Sequence, residues 1–128
     1  MTYSVQVKGF NKNIEEEILV QIDNVRLSCF VTNWGIDIEV NKFYDADIGV
    51  TILDDLKIYQ QTDHIVGFEQ INDTFAYFIY GKFDFDSRTI DAGAVIEFDQ
   101  DEVDLSDYSY LDGKYISAKV DRITLAFV

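Results

Sequence analysis

Hydrophobic residues recur at every second position along most of the chain, which is the pattern of half-buried β-strands. The segments Ile18–Ile22 and Val25–Val31 have this period on either side of Asp23-Asn24 and predict a hairpin with a tight turn. A helix over Ile14–Asp23 is the alternative, because Glu15–Glu17 suit a first helical turn. The alternation and the turn that follows it favour the strand.

The same period predicts strands along the rest of the chain. They are Tyr3–Val7, Ile36–Val40, Ala46–Leu53, Leu56–Tyr59, Ile65–Ile71, Thr74–Phe85, Ala92–Asp99 and Lys114–Val128. The polar segment Gln100–Gly113 has apolar residues at helical spacing and predicts one short helix. No repeat or linker divides the 128 residues. We therefore expect a single acidic β-rich domain over residues 1–128, an all-β fold that is a small β-barrel (such as the oligonucleotide-binding type) or a β-sandwich.

Charge narrows the range of partners. The chain has 24 acidic and 10 basic side chains, for a net charge of −14. Such a surface repels nucleic acid and anionic membranes, so neither is expected as a direct partner. The sequence has no secretory signal pattern and no apolar run of membrane-spanning length, and Cys29 is its only cysteine. These features predict a cytoplasmic protein without an internal disulfide.

No motif predicts catalysis. One cysteine and one histidine, His64, are too few ligands for a zinc site. The segments starting at Asp84 and Asp99 begin like calcium loops, but each lacks an oxygen ligand at position 5 and the glycine at position 6. The seven glycines are dispersed singly, so no phosphate-binding loop is present. We expect no enzyme activity, metal or cofactor.

Acidic residues concentrate in residues 84–112, where ten acids accompany Arg88 as the single base. If the strands on either side of Ser87–Gly93 pair as a hairpin, their acids point to one exposed face. Like charges across paired strands are destabilising, so folding alone does not explain this arrangement. The predicted partner-binding residues are eight of these acids and two tyrosines that supply contact area: Asp84, Asp86, Glu97, Asp99, Asp101, Glu102, Asp104, Asp107, Tyr108 and Tyr110.

An acidic docking surface for a basic protein is the function that this pattern favours. With its acidic segment Glu97–Asp112 and final strand Gly113–Arg122, the chain resembles the small immunity proteins encoded beside bacterial contact-dependent and polymorphic toxins. The resemblance implies a cytoplasmic, non-catalytic inhibitor of a basic toxin, for example a nuclease. A nucleic-acid-binding protein is another possible basic partner.

Three alternatives remain open from the residues. The acidic face serves only solubility, or the barrel mouth around Trp34 and Tyr44 binds a small ligand, or the chain is a subunit of a homo-oligomer.

Overall fold

Eleven strands make up most of the protein in the computed structural model, which describes residues 1–101 and 103–128. The strands are β1 (Thr2–Phe10), β2 (Glu17–Ile22), β3 (Val25–Asn33), β4 (Phe43–Thr51), β5 (Ile58–Gln60), β6 (Gly67–Gln70), β7 (Tyr77–Asp84), β8 (Thr89–Asp91), β9 (Val95–Glu97), β10 (Tyr115–Val120) and β11 (Arg122–Phe127). The short helix expected before β10 is a 3-10 helix, η1 (Ser106–Leu111). The all-β class is confirmed. Within the described residues, no helix has the length and apolarity needed to cross a membrane.

Five strands form a closed barrel in the order β1-β2-β3-β11-β4, with β1 also paired to β4. Strand β11 runs parallel to β3 and antiparallel to β4. The predicted Asp23-Asn24 hairpin joins β2 and β3 in register, so the strand was the correct interpretation of this segment. Side chains at alternate positions, such as Ile18 and Val20, are fully buried inside. The fold is therefore a barrel, and its five strands agree with the oligonucleotide-binding type considered from the sequence.

The second sheet is built from the chain between β4 and β11. Its order is β5-β10-β7-β8-β9. Strand β6 pairs with the first half of β7, residues 77–80, and β8 pairs with the last three residues of β7. Strands β10 and β11 are separated by Asp121 alone, so one nearly continuous segment passes from this sheet into the barrel. Buried residues of both sheets belong to one hydrophobic cluster. The predicted strand Lys114–Val128 therefore consists of two strands, β10 in the second sheet and β11 in the barrel.

Gly81 lies where β7 changes its partner from β6 to β8. A Cβ atom at this position would lie 2.0 Å from the backbone oxygen of Asp91 and 2.6 Å from its carbonyl carbon. The backbones of β7 and β8 can approach this closely only because residue 81 has no side chain. Gly81 is thus a site of close backbone packing.

One predicted strand is absent. Ile36–Val40 lies in the connection between β3 and β4, and the side chain of Ile36 is 71% exposed. Alternation alone does not make a strand, because a strand also needs a neighbour with free backbone groups. Here β3 and β4 have their partners within the barrel already.

Candidate functional site

The predicted hairpin between the strands of Asp84 and Glu97 was wrong. Strand β8 lies between β7 and β9, and its Thr89 pairs with Asp84 on one side and with Glu97 on the other. The chain turns back at Arg88, whose φ of 59° is in the left-handed region that closes tight turns. Asp84 and Glu97 do face the same side of the sheet, but two strand spacings (about 10 Å) separate them. Six of the eight predicted acids accordingly divide among three clefts.

The first, here called the sheet cleft, lies on the outer face of β7 and β8. It has a volume of about 540 Å³, and Asp84, Asp86, Asp91 and Asp112 line it together with Lys82. The Asp112 carboxylate accepts a hydrogen bond of 2.9 Å from the backbone N–H of Phe85.

The second cleft, of about 260 Å³, lies between β9 and the outside of the barrel. Glu97 and Asp99 line it together with Asp47, which the sequence analysis did not select. Burial raises the pKa of the nearby Tyr3 to about 12, and the charge of Glu97 adds to this effect. Asp99 is also engaged locally, because its carboxylate accepts the backbone N–H of Asp101 at 2.8 Å.

The third, here called the acidic cleft, lies between the β4–β5 loop and the segment that contains η1. Its volume is about 560 Å³. The lining has four carboxylates, two from each segment, above an apolar floor that includes Ile52, Leu56 and Val103: Asp54, Asp55, Asp104 and Asp107. The hydroxyl of Tyr108 donates a hydrogen bond of 2.8 Å to the backbone oxygen of Leu56 and so ties the two segments together.

Within the described residues, no basic side chain forms an ion pair with a carboxylate of these clefts. Lys82 does line the sheet cleft, and Lys57 and Lys119 line a neighbouring cleft together with Asp54 and Asp55. Across residues 1–101 and 103–128 the one ion pair is Lys42–Glu39, which lies in the β3–β4 connection. Arg88 uses its guanidinium to donate hydrogen bonds to the backbone oxygens of Phe98 (3.0 Å), Asp99 (3.2 Å) and Val103. It therefore shapes the segment that leads into the acidic cleft without pairing with a carboxylate.

The carboxylate of Asp104 is held in its charged form. It accepts a 2.9 Å hydrogen bond from the backbone N–H of Ser106. This bond, the Ser106 side chain and the charge of Arg88 lower the pKa of Asp104 below its ordinary value. The Asp104 carboxylate thus keeps its negative charge at neutral pH.

The remaining predicted residues line none of the three clefts or lie outside the residues that the structure describes. Asp101 is exposed, and Tyr110 is 66% exposed on η1 without lining any of the three clefts. Glu102 lies outside the described residues. The sequence analysis missed Asp54 and Asp55 because the pair resembled an ordinary turn between two strands. Their alignment with η1 depends on the tertiary contact through Tyr108.

Trp34 and Tyr44, the residues proposed for a ligand at the barrel mouth, pack on a core side chain. Their rings lie 6.0 Å and 5.7 Å from the ring of Phe127, which is buried. Burial also raises the pKa of the Cys29 thiol to about 12, so it is a poor nucleophile at neutral pH. In the described part of the chain, no three His, Cys, Asp or Glu side chains lie close enough to one another to hold a metal ion.

The whole chain, residues 1–128, matches a family described as "Uncharacterised conserved protein UCP019853". The chain belongs to this family. The description carries no activity, substrate or partner, so the chemistry of the clefts is the basis for a functional argument. Neither a curated protein nor a solved structure matches the chain.

Proposed function

We propose that this protein is a non-catalytic interaction module that binds a basic partner protein through the acidic cleft. We further propose that the partner is a toxin of the kind neutralised by immunity proteins, which the chain resembles. The observation that carries the proposal is the set of four carboxylates in one cleft with no described basic side chain paired to any of them.

Bringing these carboxylates together costs free energy in the unbound protein, because like charges repel. The fold meets this cost by fixing the two segments, through the Tyr108–Leu56 hydrogen bond and the backbone contacts of Arg88. Lysine or arginine side chains of a partner would relieve the repulsion and speed association by electrostatic attraction. The fixed geometry also lowers the entropy cost of binding, since the cleft needs no rearrangement.

Apolar contact area next to the cleft favours a protein over a small cation. Leu53, which precedes Asp54 in the β4–β5 loop, is 68% exposed, and Tyr110 presents its ring on η1. Protein interfaces combine such apolar anchors with charges at the rim. A basic loop or helix with an apolar residue beside its lysines or arginines fits this arrangement.

Charge reversal in the cleft tests the proposal. The side chains of Asp54, Asp55 and Asp107 line the cleft, and we expect the triple change D54K/D55K/D107K to leave the fold intact. The matched control D37K/D45K/D63K alters the net charge equally at exposed positions elsewhere. A partner is first captured from the source cells at low salt, purified and titrated with each variant.

We expect one stoichiometric basic partner whose binding weakens with salt. The cleft variant should bind it at least about a hundredfold more weakly, because close interfacial charge pairs contribute about 1.5 kcal/mol or more each. The control should bind within a few-fold of the unaltered protein. Equal binding by the two variants would exclude the acidic cleft as the docking site. The toxin assignment is tested by growth: the partner alone should arrest cells, and co-expression of the unaltered protein should restore them.

Small-ligand binding is a second candidate, favoured by a cleft of about 600 Å³ beside the β1–β2 loop. Exposed Phe10 and Leu19 line it with the polar side chains of Asn11, Ser28 and Gln70, and the charged side chains of Lys12, Glu17 and Asp73 also line it. An aromatic ring among amide and hydroxyl groups suits a flat, hydroxyl-rich ligand. NMR titration with neutral sugars should then shift the signals of Phe10 and Leu19 specifically, and unchanged spectra with a panel of such compounds would exclude this use.

A further inference from the structure

The cleft beside the β1–β2 loop, here called the hairpin cleft, is built from three parts of the fold. The β1–β2 loop forms one wall, and the outer face of β2 and β3 forms the floor. The tip of the β6–β7 hairpin forms another wall and contributes Gln70 and Asp73. This hairpin is fixed to the floor, because the backbone N–H of Ser28 donates a 2.9 Å hydrogen bond to the hydroxyl of Tyr77 in β7. The cleft is therefore formed before a ligand binds, which lowers the cost of binding.

The floor of the hairpin cleft offers a free hydroxyl. Ser28 is only 8% exposed, and its side chain faces outward because its neighbours Leu27 and Cys29 are buried inside the barrel. It pairs across the strands with Leu19, which lines the same cleft. Among the described residues no group hydrogen-bonds to the Ser28 hydroxyl, whereas polar groups on residues this buried normally have a partner. The hydroxyl is therefore available to a polar group that enters the cleft.

Charges of both signs line the hairpin cleft without pairing with each other. Lys12 comes from the β1–β2 loop, Glu17 from the start of β2 and Asp73 from the tip of the β6–β7 hairpin. In the part of the chain that the structure describes, neither acid forms an ion pair with Lys12. The Glu17 carboxylate is held in place by a 2.9 Å hydrogen bond from the side-chain N–H of Asn11. A ligand that meets both signs would thus find partners on different walls.

A zwitterion with an apolar part matches this lining. A neutral sugar uses the amide and hydroxyl groups but leaves the three charges without a partner. A simple cation is repelled by Lys12, and a simple anion is repelled by the two acids. The exposed ring of Phe10, with Leu19 near it in the same lining, supplies apolar contact area. An amino acid combines an ammonium group, a carboxylate and an apolar side chain in one small molecule.

We propose that the hairpin cleft binds a free amino acid with an apolar side chain. Glu17 and Asp73 bind its α-ammonium group, and Lys12 binds its α-carboxylate. The hydroxyl of Ser28 supplies a further hydrogen bond from the floor, and the ligand side chain packs on Phe10. This assignment rests on the small-ligand function proposed for the cleft and specifies the ligand class. It does not involve the acidic cleft.

Calorimetric titration with L-phenylalanine and two blocked derivatives tests the ligand class. We expect L-phenylalanine to bind and to shift the NMR signals of Phe10 and Leu19, which line the cleft. N-acetylphenylalanine lacks the ammonium charge and phenylalaninamide lacks the carboxylate. Each should bind at least about tenfold more weakly, because each loses a charge-assisted hydrogen bond. Glycine, which has no side chain to pack on Phe10, should also bind more weakly.

Two variants test which residues meet which charge of the ligand. K12Q should bind L-phenylalanine and phenylalaninamide about equally, because the carboxylate has lost its partner, and should still discriminate against N-acetylphenylalanine. E17Q/D73N should show the reverse pattern. The controls K8Q and D23N/D63N make the same changes in net charge outside the lining and should keep both preferences.

Titration with neutral sugars separates this assignment from the function on which it rests. If sugars bind and L-phenylalanine does not, small-ligand binding stands and the amino-acid assignment is overturned. If neither binds, both are overturned. Equal binding of L-phenylalanine and its blocked derivatives to the unaltered protein, or unchanged preferences in K12Q and E17Q/D73N, also overturns the assignment.

Discussion

Replacing Arg88 by methionine distinguishes two contributions to partner binding, the net charge of the protein and the shape of the acidic cleft. The change removes three hydrogen bonds to backbone oxygens, two of them half-buried, those to Phe98 and Val103. A bond from a charged donor contributes about 1.5 kcal/mol or more, so the two half-buried ones predict a loss of about 3 kcal/mol in the free energy of unfolding. Water replaces the exposed bond to Asp99. Urea denaturation followed by the fluorescence of Trp34, the single tryptophan, measures the loss.

The same variant gives opposite expectations for partner binding. One positive charge fewer takes the net charge from −14 to −15, which by charge alone tightens binding to a basic protein. Losing the hydrogen bonds that hold Phe98, Asp99 and Val103 should instead weaken binding by about tenfold, because the cleft is then less preorganised. The control Lys114→Met removes a charge at an exposed position nearby without those contacts. Tighter binding by Arg88→Met, equal to that of the control, would refute the role of Arg88 in shaping the cleft.

Three further predictions concern the fold. Gly81→Ala should lower the free energy of unfolding, measured by urea denaturation, by at least about 3 kcal/mol, because its Cβ would meet backbone atoms. The control Gly9→Ala has open space around the new Cβ and should cost less than about 1 kcal/mol. Equal losses for the two variants would contradict this. Cys29, whose pKa burial raises to about 12, should react with a thiol reagent at pH 8 only as the protein opens, and rapid labelling would contradict its burial. Asp104 has a lower pKa in the folded than in the unfolded protein, so its contribution to the free energy of unfolding is present at neutral pH and lost as the pH falls. The difference in stability between the unaltered protein and Asp104→Asn should therefore shrink toward pH ~3. A difference that stays constant with pH would contradict this effect of the Asp104 pKa.

Sequence alone predicted most of the strands, and it predicted one strand pairing correctly, between two strands that are adjacent in the chain. The β2–β3 hairpin followed from two alternating segments and a two-residue turn, because local pairing needs no distant information. One error lies where pairing is distant. Alternation over Lys114–Val128 is continuous, but residues on the two sides of Asp121 face different sheets, which depends on β3, β4 and β7.

The candidate site was predicted only in part for the same reason. The concentration of acids in residues 84–112 identified Asp104, Asp107 and Tyr108, because such a segment can be recognised without a structure. It could not assign Asp54 and Asp55, which are about fifty residues away and join the cleft through the hydrogen bond from Tyr108 to Leu56. The insertion of β8 likewise separated Asp84 from Glu97, because three residues after Arg88 suffice to form a strand.

The acidic cleft differs from the sheet cleft in how its charge is offset. Like charges repel, so folding gains nothing from placing carboxylates together. The sheet cleft has Lys82 among its four acids, whereas the described lining of the acidic cleft contains no base. Lys57 and Lys119 line a neighbouring cleft that shares Asp54 and Asp55. In the proposed complex we therefore expect Asp104 and Asp107, on the η1 side, to meet the lysines and arginines of a basic partner without competition from a lysine of this chain.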